Sequence, residues 1–211
     1  MEYLKSKGPC SAVEAGGFSL IEILAVLTII SLLLSMSVIG INRITDATDL
    51  TNNGDQIVNQ LVQARQRAIS DNAHVEVRIY PPPEGNRIKE WTLVLARQGL
   101  SETPAPLQQP LILSESIAIS EDGDFSTLIA AREPQKDEGL MHSASGTEQK
   151  YHGFRFHPDG STNLPVNPNG DTWHLTAASR RDIERNKGTL PDNFYTIRVD
   201  PFTGAVRSFR P

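Results

Sequence analysis

The sequence predicts an α+β fold: one long helix near the N-terminus, then an antiparallel β-sheet. Three observations carry this. An almost unbroken apolar run, FSLIEILAVLTIISLLLSMSVIGI, covers residues 18–41. A second stretch with helical spacing of apolar residues follows at 55–70. Short alternating segments, separated by Pro, Gly, Asn and Asp clusters, then recur to the C-terminus.

The bulk numbers fit one globular domain with an added apolar arm. The chain has 211 residues, 38% hydrophobic and 21% charged. The formal net charge of -5 leaves no overall basic footprint, so nucleic acid is not an expected partner. The one cysteine, Cys10, lies before the apolar run. If the leader is removed, the mature chain can hold neither a disulfide scaffold nor a cysteine-based zinc site.

Taken as helix, Leu20 to Ile41 reaches about 33 Å at roughly 1.5 Å per residue. The hydrocarbon core of a bilayer is about 30 Å thick, so the segment can span it. The alternative is a secretory signal peptide cut near Ser35-Met36-Ser37, although such apolar regions usually run about 7–15 residues. Lys5 and Lys7 precede the run, balanced by Glu2 and Glu14, and Arg43 follows it. Counting Lys and Arg places the N-terminus in the cytoplasm and the larger domain outside.

Glu22 is the only charge in the run. A carboxylate inside a membrane costs a few kcal/mol and is rarely there without a partner. One turn from the segment's start it can sit at the headgroup boundary at small cost. Alternatively it pairs with a cation. A free amine at residue 18, created by cutting after Gly17, would supply one, in the same chain or a neighbouring one.

The residues Gly17-Phe18-Ser19-Leu20-Ile21-Glu22, followed by an apolar helix, resemble the processing site of type IV pilins and type II secretion pseudopilins. The resemblance implies cleavage between Gly17 and Phe18 by a prepilin peptidase, with N-methylation of Phe18. It implies that the helix stays as a single-pass anchor in the bacterial inner membrane and later packs in a filament. Glu22 would neutralise a neighbour's Phe18 amine during assembly. The expected partners are the peptidase, other pilin or pseudopilin subunits, and the inner-membrane assembly platform. The 17-residue leader, rather long and not clearly basic, departs from the pattern.

This divides the chain into a cytoplasmic leader (1–17), a transmembrane helix (18–41), a continuation of the helix (42–72) and a periplasmic β-rich pilin-like domain (73–211). Between the two apolar stretches, TDATDLTNNG at 45–54 reads as a kink or loosened turn at the membrane surface. Ile57, Leu61, Ala64 and Ala68 form one apolar face to pack on the sheet. HVEVRIY (74–80) and WTLVLA (91–96) read as a hairpin around PPPEGN (81–86). LILSESIAI (111–119) is a third strand candidate. Residues 121–150 read mostly as an exposed loop with a short apolar patch at 125–131. Strands follow at 154–157, ended by Pro158-Asp159-Gly160-Ser161, and at 173–177. Residues 194–199 and 205–209 flank DPFTG as a closing hairpin. QLVQARQRAIS, FRFHPDGS and IRVDPFTGAVRSF resemble H-type minor pseudopilins and related minor pilins, and also a pilin-like exported family of verrucomicrobial gene cassettes.

No catalytic constellation is legible, so the chain is not expected to be an enzyme and no cofactor is implied. His152 and His157 lie an odd number of residues apart and point to opposite strand faces, which argues against a shared metal. Asp159, Asp171, Asp192 and Asp200 sit singly in turns, where aspartates satisfy backbone donors. Calcium wants six to eight oxygens, several from carboxylates, and no D-x-D-x-D run provides them. RRDIERNK (180–187) reads as a mixed-charge loop or short helix, with a partner-contact patch as its alternative. The function expected is therefore assembly: a minor subunit of a type II secretion pseudopilus or a type IV pilus-like filament. The alternative is a membrane-anchored binding module for a substrate, a surface, or DNA held by Arg180, Arg181, Arg185 and Lys187.

Overall fold

The computed structural model describes residues 17–83, 89–97, 105–130, 135–136, 150–166, 172–186 and 188–211; along 36–44, 105 and 135–136 it describes the backbone alone. The expected leader before Gly17 lies outside the described residues. So do 84–88 of the first turn, 131–134 and 137–149 of the expected loop, and Lys187. Two compact units result, Met1–Asn42 and Arg43–Pro211.

Helix α1 runs Leu20–Ser70. In the second unit its face at Leu50, Ile57, Leu61, Ala64 and Ala68 is fully buried. Each buried Leu or Ile contributes about 1.5–3 kcal/mol. The two alanines have no bulk and let strands approach closely. The helix ends in a Schellman motif. Asn72 takes a left-handed φ of 47°. The Ala73 and Asn72 amides donate to the Ala68 and Ile69 carbonyls at 3.2 and 3.4 Å.

The strands are β1 (Val75–Tyr80), β2 (Thr92–Arg97), β3 (Ala105–Pro106), β4 (Leu111–Ile112), β5 (Ile117–Ile119), β6 (Gln135–Lys136), β7 (Lys150–Phe156), β8 (Trp173–Ser179), β9 (Phe194–Val199) and β10 (Val206–Phe209). Two short helices, α2 (Thr127–Ala130) and α3 (Arg180–Arg185), interrupt them. One sheet has the order β3-β2-β1-β7-β6, with β4 also on β2; the other is β10-β9-β8-β5. Every pairing is antiparallel. Both sheets contribute to one apolar core with α1, including Val77, Ile79, Leu95 and Phe156 from the first and Leu175, Tyr195, Ile197 and Val199 from the second.

The architecture is α+β, with the first and last hairpins where the alternation and turn residues put them. Three expectations need correction. The single sheet is two sheets. The third strand candidate, 111–119, is split between them: β4 pairs with β2, and β5 with β8. Ser114 and Ser116 make the break, where the Ile117 amide turns back to the Ser114 carbonyl at 2.9 Å. The Ser114 amide also donates to Asn53 Oδ1 at 2.9 Å, and Ser116 Oγ to Asp49 at 3.0 Å.

Gly54 is not a kink or loosened turn; α1 passes through it. A Cβ there would meet the Tyr195 ring at 2.6 Å, so the glycine makes room for an aromatic side chain on α1. The short apolar patch read at 125–131 holds α2, with Leu128 and Ile129 buried. Ser126, wholly buried, accepts from the Thr176 amide at 3.0 Å and anchors that segment to β8.

Candidate functional site

Two places concentrate chemistry: the start of α1, and the face of the first sheet that turns away from α1.

At the first, Gly17 and Phe18 precede the helix, and Phe18 is 78% exposed. Ser19 caps the helix. Its Oγ accepts from the Glu22 amide at 3.3 Å, and its carbonyl accepts from the same amide and from Ile23 at 3.1 and 3.2 Å. Ser-x-x-Glu is a capping-box spacing, so Glu22 also lies where the positive end of the helix dipole favours a carboxylate. That signal, Ser19 three residues before Glu22, was readable in the sequence beside the pairing role. From Leu20 to Leu34 the large apolar side chains point all round the helix, and all are exposed, by 45% or more. The hydroxyls among them are satisfied internally: Thr28, Ser31 and Ser35 donate to the carbonyls of Ala25, Leu27 and Leu32 at 2.7, 2.7 and 2.8 Å. A helix apolar on every side cannot be a water-exposed surface helix; it needs an apolar surrounding. Among the described residues no helix is long and apolar enough to cross a membrane, and the described side chains of this run stop at Ser35.

The second place was not foreseen. Residues 75–80 alternate apolar and polar, as in a strand with one wet face, yet every one of them is buried. Cross-strand pairs between β1 and β7 build a ladder on the side away from α1. Glu76 lies opposite Arg155, and Arg78 opposite Gly153. Tyr80 packs on Tyr151 with ring centres 5.5 Å apart. Arg78 donates to Glu76 Oε2 through Nε and Nη2 at 3.0 and 2.9 Å, with both side chains under 10% exposed. Its guanidinium also stacks over Tyr151, 4.4 Å from the ring centre. Burial works against the Arg78 charge, but the bonds from Tyr80 and the Glu76 carboxylate outweigh it and hold the pKa above its ordinary value. Tyr151 Oη donates to Glu76 Oε1 at 3.3 Å, and Arg155 Nε approaches the same oxygen at 3.9 Å. Gly153 leaves the space: a Cβ there would lie 2.8 Å from the Tyr151 ring. One rung beyond Val75–Phe156, His74 and His157 meet, their Nδ1 atoms 2.9 Å apart. His152 lies opposite Ile79 on the other face.

Asp171 lies outside the described residues; Asp159 and Asp200 serve their turns. Ser161's hydroxyl and amide hold the Asp159 carboxyl below the usual carboxylate range. The Thr203 and Phe202 amides do the same for Asp200. Among the described residues no group of three or more His, Cys, Asp or Glu is placed to hold a metal. Arg180, Arg181 and Arg185 are engaged within the chain. Arg180 donates to the carbonyls of Glu115, Lys89 and Ile117, Arg181 faces Asp46 at 3.8 Å, and Arg185 faces Asp182 at 3.9 Å. The groove beside α3, floored by Phe125, Ala178, Ile183 and Leu190, encloses about 240 Å³. That is below the roughly 300–1,000 Å³ of small-molecule sites.

No family model matches the chain, and no curated protein matches it. Among solved structures, the chain is similar to the minor pseudopilin EpsH from the Type 2 Secretion System of Vibrio cholerae. That match has 11% sequence identity and a TM-score of 0.44, and covers 77% of this chain and 98% of that one.

Proposed function

We propose that the chain is a pilin-like subunit of the minor pseudopilin kind. It is cut between Gly17 and Phe18, methylated at Phe18, held in the inner membrane by residues 18–41, and drawn from there into a filament. The observation that carries the reading is the start of α1: apolar side chains exposed on every side, with one carboxylate, Glu22, in the first turn. Lipid or the helices of sister subunits would cover that surface equally well, which suits a protein that must leave one for the other. Glu22 then has two roles. It favours the helix start, and it offers a negative charge to the amine of a neighbouring Phe18. In this reading the soluble unit binds partners and catalyses nothing. The arginines of α3 each face an acceptor or a carboxylate of their own chain, which favours this reading over DNA capture at α3.

Mass spectrometry of the mature N-terminus, on protein taken from the native membrane, tests this. The expected product begins at N-methylated Phe18. A product beginning near Val38 would make the apolar run an ordinary signal peptide and end the proposal. Glu22→Ala is expected to be processed normally but to enter filaments poorly; normal incorporation would remove the docking role of Glu22.

A further inference from the structure

We infer that His74 and His157 form a two-nitrogen chelate for a divalent transition metal of the Cu(II) or Ni(II) class. The two residues flank neighbouring strands of the first sheet and lie 83 positions apart in the chain. The β1–β7 register brings them together, since Val75 pairs with Phe156 and the next rung is His74 with His157. Their rings meet edge to face, with centroids 4.9 Å apart and planes at 82°.

The backbone on both sides is fixed before any ion arrives. His74 directly follows the Schellman motif that closes α1. His157 opens a tight turn, in which its amide donates to the Ser161 carbonyl at 2.8 Å and its carbonyl accepts from Gly160 at 2.9 Å. The rings themselves are accessible: His74 is exposed and His157 half-buried. An ion can therefore reach them from solvent, and the rings can turn to aim at it.

The donor type favours the ion. In the metal-free pair the two Nδ1 atoms share one hydrogen bond at 2.9 Å, so the rings turn to aim both lone pairs at a common ion. Neutral imidazoles suit divalent transition metals, and the Irving–Williams order places Cu(II) highest among them, above Ni(II). With two protein ligands, water completes the coordination shell. In the metal-free pair one Nδ1 donates a proton to the other. On binding, that proton moves to Nε2 of the same ring, so both Nδ1 atoms become ligands without net proton release. Asp159, two residues from His157, adds a negative group nearby.

The test uses the untagged full chain in detergent, titrated with Cu(II) by calorimetry, beside His74→Gln, His157→Gln and the double variant. One equivalent is expected to bind at micromolar concentration. Each single variant should weaken it at least tenfold, and the double variant no further, because either loss breaks the chelate. Equal binding by wild type and the single variants would overturn the inference, as would a loss confined to one of them. Metal-free melting temperatures check that the variants fold. Should a variant melt early, electron paramagnetic resonance of the wild-type copper complex decides instead: two coupled imidazole nitrogens support the chelate, and one or none overturns it.

Discussion

Arg78 shows what a single residue does in this fold. It lies on a central strand, buried on both sides, with Glu76 as its charge partner and the Tyr151 ring beneath it. Removing one member of a buried ion pair leaves the other without compensation, a loss of about 3–5 kcal/mol. Arg78→Leu is therefore expected to destabilise the second unit by about that amount, with Arg155 offsetting part of it by facing Glu76 from 3.9 Å away. Glu76→Leu combined with Arg78→Leu should restore much of the loss, because neither buried charge is then stranded and Arg155 is exposed enough to be solvated. Urea unfolding of the single and double variants checks this; a single variant as stable as the double would rule out the pair as a coupled unit. None of this was legible in HVEVRIY, whose alternation predicts one wet face. Burial of the polar face comes from what packs over it, which period-two patterning does not encode. Gly54 is a similar case. In a polar stretch it reads as a helix breaker, but its partner is Tyr195, far along the chain, whose Oη donates to Asp55 at 2.6 Å.

The elements that were legible are the local ones. The 3.6-residue spacing of Ile57, Leu61, Ala64 and Ala68 identifies the buried face of α1. The β9–β10 hairpin follows from DPFTG, because its geometry is written in adjacent residues. Asp200 Oδ1 accepts from the Phe202 and Thr203 amides at 3.0 and 2.8 Å. Gly204 takes a φ of 64°. It also passes so close to the Gly160 carbonyl that a Cβ would collide with it. The split of 111–119 was not legible, since β5 leaves for the second sheet to meet Ser179, which no local pattern announces. A pH prediction belongs to the hairpin. The Asp200 carboxyl is held below its ordinary value, chiefly by the Thr203 amide. Its contribution is thus complete above the unfolded-state value of about 3.9 and disappears as pH falls through the lower folded one. Asp200→Asn keeps an acceptor oxygen but loses the charge. Its melting temperature is expected to drop by no more than about 2–4 °C at neutral pH, with a flatter decline below pH ~4 than the wild type. Thermal melts across pH 2–7 measure it; identical acid limbs would mean that the charge contributes nothing.

The whole molecule joins two kinds of surface in one chain. The buried apolar core is made of residues between Leu50 and Val199, all within the second unit. The large apolar side chains of 18–34 contribute nothing to that core and are left exposed. The lopsided composition of the sequence belongs to the same contrast, because a segment with no polar face has to be covered on every side. It did not show that two sheets share the core, since sheet membership depends on pairings between distant strands. A chain beginning at Arg43 should therefore fold alone, because every core residue and both sheets remain. It is expected to unfold in one cooperative step, to melt within a few degrees of the full chain, and to stay in the aqueous phase when mixed with lipid vesicles. The full chain is expected to partition with the vesicles. Circular dichroism melts and vesicle flotation of the two chains read both outcomes. A truncated chain that melted without cooperativity would show that residues before Arg43 are needed for the fold. A truncated chain that floated with the vesicles would place lipid binding in the second unit rather than in the apolar run.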